Sequence, residues 1–270
     1  MILESLKSSF FLTFLTTGIF LLFGYIYSII EKRNSKYLYC TFGNTGILLT
    51  GIIGTTIHEI GHLVMCFIFR HRITDFQLFN IKGYKYEETL GYVSHIYDKN
   101  SLYEKAGNFF IGIGPLISGT LFIILSFILL LPDMYFSINL ESYLSCITNL
   151  NLGSTILLLF SLCKSLFLML FNFNNLLNIK FYIFIYLMIC ISTHISLSKK
   201  DFQNSILGIF SIFIIYFIIC LFFILFNFNL NDLLMNFIKY NIYLLLFLSI
   251  GLVFSIISLS ISYLFYSIKK

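Results

Sequence analysis

Long apolar runs broken by short polar stretches dominate the chain. They predict six membrane-crossing helices near residues 9–30, 45–68, 109–131, 179–195, 203–228 and 241–267. A seventh run, 152–173, is interrupted by Lys164 and bordered by Asn149, Asn151, Asn172, Asn174 and Asn175. It reads as an interfacial or re-entrant helix whose Lys164 reaches back to headgroups. The longest hydrophilic stretch, 70–108, separates the second run from the third. Within it, 76–80 and 91–97 alternate as short strands do, and Gly83 between them can turn the chain. The expected fold is an all-α polytopic membrane protein of about six transmembrane helices. A small cytoplasmic β-hairpin is expected between spans 2 and 3, and residues 1–270 form a single integral membrane domain.

Composition supports the membrane reading. The 270 residues are 59% hydrophobic and 11% charged, against about 25% charged in soluble domains, and mean hydropathy is +0.93. A soluble fold of this size cannot hide that much apolar surface, so the lipid bilayer is the expected solvent. The first run is longer than the apolar part of a signal peptide and reads as a retained span. The net charge of +5 gathers at span ends and in one loop, as topology requires, and predicts no nucleic-acid partner. With six spans and a cytoplasmic N-terminus, 11 of the basic residues fall inside and 6 outside. That bias favours both termini in the cytoplasm, although Lys32, Arg33 and Lys36 go against it. The compact chain is expected in a bacterial inner membrane. Six cysteines, none in a C-x-x-C pair, read as small buried hydrophobes.

Chemistry concentrates in the second run, where residues 58–62 read His58-Glu59-Ile60-Gly61-His62. On a helix, positions i and i+4 share a face, so two imidazoles can hold one Zn²⁺ through nitrogens at about 2.0–2.1 Å. Glu59 is placed to act as general base toward water that zinc has acidified to a pKa of about 7. Two histidines and a glutamate within an apolar helix default to a functional reading, because ionisable groups are costly there. A third ligand is required, and His194 and Asp201 are the candidates. Asp201 also completes a helix-opening box with Ser198. His95 is a weaker ligand candidate, and His71, between Arg70 and Arg72, is expected to face water or headgroups. In the third run Gly107, Gly112, Gly114, Ser118 and Gly119 allow close helix packing, and Pro115 frees a backbone carbonyl and kinks the span.

These features resemble the site-2 protease family of intramembrane zinc metalloproteases, as a divergent member. The resemblance rests on His58-Glu59-Ile60-Gly61-His62 within a span, a β-rich loop ending in Gly91-Tyr92-Val93, and a following span with Gly114-Pro115. It implies a catalytic core at 45–131 plus 179–228, hairpin loop 70–108, and zinc held inside the membrane near its cytoplasmic side. It also implies hydrolysis of transmembrane segments of membrane-protein or peptide substrates. The family takes its third ligand from Leu-Asp-Gly near a later helix start. Here no Asp-Gly pair occurs, Asp201 is the nearest positional match, and Ser118 stands near the place of the family's Asn after Gly-Pro. His194 remains the alternative ligand. Two other classes stand beside the protease. One is a catalytically inactive protein of the same fold acting as a binding, chaperone-like or transport-accessory component. The other is a prenyl-processing H-E-x-x-H enzyme, disfavoured because no Glu follows Glu141.

Overall fold

A computed structural model describes residues 2–81, 90–137, 160–161, 164–165 and 167–270. The Gly83 turn and half of the 152–173 run lie outside the described residues. The described chain is mostly helical. Its principal helices are α1 (Ile2–Phe42), α2 (Asn44–Ile68), α3 (Leu102–Gly112), α4 (Gly114–Leu130), α5 (Ile179–Ser192), α6 (Lys199–Leu225) and α7 (Leu230–Lys269). Short helical turns at Pro132–Ser137 and Phe173–Leu176 complete it, with strands β1 (Arg72–Gln77) and β2 (Tyr92–Ile96).

Four helices among the described residues, α1, α2, α6 and α7, are long and apolar enough to cross a membrane, and α3 with α4 makes a fifth if the bent pair counts as one span. Four expected spans differ in form, the last because α7 begins at Leu230 rather than near residue 241. The first does not stop near residue 30: nothing in 31–42 breaks a helix, so α1 carries Glu31, Lys32, Arg33 and Lys36 onward until Gly43 takes φ 64°, a conformation that suits glycine. The third is two helices meeting at 57°. The fourth, α5, has 14 residues, about 21 Å of helix against a hydrocarbon layer of about 30 Å.

Packing sets the directions of the helices. The Tyr27 hydroxyl donates to Leu248 O, and Asn34 Nδ2 to Ser258 Oγ, so α1 and α7 run parallel. A Cβ on Gly208 would strike Phe109, and one on Gly112 would strike Asp201 and Ser205, so α3 and α6 run antiparallel in close contact. Gly61 and Gly114 face each other where α2 crosses α4; a Cβ on Gly114 would lie 2.8 Å from the Gly61 carbonyl. Small residues at such crossings let backbones approach without a hydrophobic drive. The core between the helices is built from Tyr27, Phe109, Leu116, Ile123, Phe127 and Phe184. Outward faces are also apolar: Phe10, Phe67 and Phe210 are 68%, 83% and 70% exposed. Apolar groups on both the inside and the outside fit helices bathed in lipid. Cys66, Cys190 and Cys220 are buried, while Cys40 is exposed, contrary to expectation for that residue.

β1 and β2 pair antiparallel, with Arg72 opposite Ile96 and Gln77 opposite Tyr92, and an irregularity between Ile73 and Asp75. The sheet folds back along α2. Leu90 packs on Gly51, and Gly91 packs on Glu59, where a Cβ would lie 2.7 Å from Glu59 Cγ. The hairpin is therefore a wall beside the H-E-x-x-H motif.

Candidate metal centre

The two motif histidines sit on one face of α2, with ring centres 5.0 Å apart. Each is anchored from behind. His58 Nδ1 donates to the His194 carbonyl at 2.8 Å, and His62 Nδ1 donates to the Ile111 carbonyl at 2.7 Å. A carbonyl only accepts, so each Nδ1 carries its ring's proton and each Nε2 is left with a lone pair. Those two Nε2 atoms face each other at 3.2 Å.

Both anchoring carbonyls come from places where a helix is interrupted. Pro115 has no N–H, so the Ile111 carbonyl four residues earlier lacks its helical partner and turns to His62. The other break is the stretch between α5 and α6, which delivers the His194 carbonyl to His58. Sequence reasoning placed a freed carbonyl near Pro115 but assigned it no acceptor role.

Asp201, in the first turn of α6, is the third group. The Ser198 N–H donates to Asp201 Oδ2 at 2.7 Å, and the Asp201 N–H donates to Ser198 Oγ at 3.2 Å, completing a capping box. That box orients the carboxylate. Asp201 Oδ1 then lies 3.4 Å from His62 Nε2, and Oδ2 lies 3.9 Å from His58 Nε2. His58, His62 and Asp201 each offer a ligand atom, all within 4.8 Å of one another. His62 and Asp201 are buried and His58 is partly so. Ligands about 2.0–2.1 Å from a tetrahedral ion lie roughly 3.3 Å apart, close to the spacings of 3.2 and 3.4 Å found here. Two converging lone pairs and a carboxylate, with no proton to share between the nitrogens, suit a divalent cation.

The alternative ligand His194 lies elsewhere. Its Nε2 is 3.1 Å from Thr50 Oγ1, and its Nδ1 is 3.5 Å from Thr55 Oγ1 and 3.8 Å from Glu31 Oε1. It serves the centre through its backbone carbonyl. His71 is buried, contrary to expectation. Its Nδ1 pairs with His95 Nδ1 at 3.0 Å and its Nε2 donates to the Glu104 carbonyl at 2.8 Å. This pair fastens β2 to the α2–α3 corner. Burial and the facing His71 push His95 down to about 4, and burial also lowers His71.

Glu59 is buried and opens with both histidines and Asp201 onto a cavity of about 590 Å³, whose other walls include Gly91, β2 from Tyr92 to His95 and the start of α6 at Lys199 and Lys200. Sequence reasoning passed over Glu31, which accepts a hydrogen bond from Ser196. The available signal was a lone carboxylate at the edge of an apolar run. No protein-family profile, curated protein or solved structure matches the chain.

Proposed function

We propose that this protein is an intramembrane zinc metalloendopeptidase resembling the site-2 proteases, hydrolysing peptide bonds in transmembrane segments of other membrane proteins. The observation that carries the reading is the convergence of His58 Nε2, His62 Nε2 and Asp201 beside the buried carboxylate of Glu59 on one cavity. When bound there, Zn²⁺ would supply Lewis acidity, polarising a peptide carbonyl and acidifying water. The chain's own residues do the rest. The Ile111 and His194 carbonyls hold both imidazoles in the tautomer that presents Nε2. Glu59 takes the proton of the attacking water and returns it to the leaving amine nitrogen. A helical substrate hides its carbonyls in its own hydrogen bonds, so it must unwind locally before it can enter.

In this reading the core is 45–131 plus 179–228 and the hairpin lies toward the cytoplasmic side of a bacterial membrane; the expected six spans with both termini in the cytoplasm do not fit parallel α1 and α7, which put the two termini on opposite faces. The test is Glu59→Gln in the purified protein. Zinc content stays unchanged, and cleavage of a membrane-helix peptide falls by about 10²–10⁴-fold; His58→Ala loses the metal itself. Cleavage that persists in Glu59→Gln rejects the mechanism. A wild-type protein that holds zinc but cleaves nothing is instead the inactive, binding form of the fold.

A further inference from the structure

We propose that Glu31 determines specificity, receiving a Lys or Arg side chain of the peptide substrate; this rests on the peptidase reading above. A second cavity of about 380 Å³ opens behind Glu59, lined by Glu31 and Ser35 of α1, Thr55 of α2 and His194, together with His58 and Glu59. It shares His58, Glu59, Gly91 and Ser198 with the cavity at the metal centre. The two are arms of one cleft that meet at the general base.

The arms differ in charge. Lys199 and Lys200 line the first, and among the described residues neither Lys nor Arg lines the second, where Glu31 stands. The Glu31 side chain is 29% exposed, with Oε1 3.8 Å from His194 Nδ1 and Oε2 accepting from the Ser196 hydroxyl. Lys32, Arg33 and Lys36 follow on the same helix; the Lys32 charge acts on Glu31 through space, but among the described residues none of the three comes within ion-pair distance of it. A carboxylate among packed helices with no Lys or Arg in contact is costly. A Lys or Arg in a transmembrane substrate carries a similar cost in lipid. Bringing the two together in the α1 arm relieves both, and the lysines of the other arm oppose the reverse placement. The charge pattern therefore fixes which way a substrate lies across the bond to be cut.

The experiment uses the full chain with Glu59→Gln, loaded with zinc, and fluorescent Leu/Ala membrane-helix peptides carrying one Lys, Gln or Glu scanned through the central segment. With Glu31 present, the best-placed Lys peptide binds about tenfold more tightly than its Gln counterpart, the strength of one charge-assisted contact. In Glu31→Gln that preference disappears, and in Glu31→Lys it passes to the Glu peptide. Should Glu31→Lys fail to fold, the near-isosteric Glu31→Gln decides alone. Equal weakening for all three peptides in Glu31→Gln overturns the proposal, because it assigns Glu31 only to holding His194. Cleavage by the protein with Glu59 intact separates the two readings. Cleavage without a Lys preference overturns the role of Glu31, whereas a Lys preference in binding with no peptide cleaved overturns the peptidase.

Discussion

Asp201 Oδ2 accepts from the Ser198 N–H while Oδ1 faces His62, so one carboxylate both starts a helix and completes the candidate metal-binding triad. The two roles can be separated by substitution. Ser198→Ala removes the hydroxyl that caps the Asp201 N–H and is expected to lower stability by about 1 kcal/mol while zinc content stays at the wild-type level. Asp201→Asn keeps an oxygen for the Ser198 N–H but loses the charge. It is expected to lose the metal and to unfold near the temperature of the chelator-treated wild type, read by thermal unfolding and metal analysis of the same samples. Zinc retained in Asp201→Asn would remove Asp201 from the ligand set. At this scale the motif spacing already told which nitrogens share a face, since i and i+4 do so on any helix. The choice between Asp201 and His194 was not legible, because it depends on which way the 193–198 stretch turns.

At the scale of elements, the centre is made by interruptions. Pro115→Ala restores an N–H that competes with His62 for the Ile111 carbonyl. Loss of such a support behind a ligand is expected to weaken zinc binding by roughly 10–100-fold, measurable by competition with a chelating dye; unchanged affinity would mean that the proline only bends the chain. The hairpin gives a second prediction. His71 and His95 are both held below their ordinary value, so between about pH 6.5 and pH 4 the folded hairpin binds fewer protons than the detached one. Its docking is therefore firmest at neutral pH and weakens as pH falls through that window. After correction for intrinsic rates, amide exchange in 72–77 and 92–96 should be faster at about pH 5 than at about pH 7, and His95→Gln should reduce the difference. The second strand was readable from its alternation at 91–97, whereas the first, expected at 76–80, runs Arg72–Gln77. The hairpin's position along α2 was not readable, since that depends on Leu90 and Gly91 meeting glycine and glutamate on another element.

At the scale of the molecule, the candidate metal-binding triad joins α2 to α6, more than a hundred residues apart in sequence. A chelator should lower the thermal midpoint by about 5 °C or more at saturating zinc, and it should have no such effect in His62→Ala; equal effects in both would place the stabilising ion elsewhere. By itself the sequence determined the solvent, the approximate places of the apolar helices and the turn of α2 that bears His58, Glu59 and His62. Those features are local: they follow from hydropathy over about 20 residues and from a spacing of four on a helix. The tertiary structure alone decided that Asp201 comes to the two imidazoles, that carbonyls from two broken helices fix their tautomers, and that Glu31 shares the cleft. Such contacts join segments with no fixed separation along the chain, and only the packing of α1, α3 and α6 around α2 brings them within ångströms of one another.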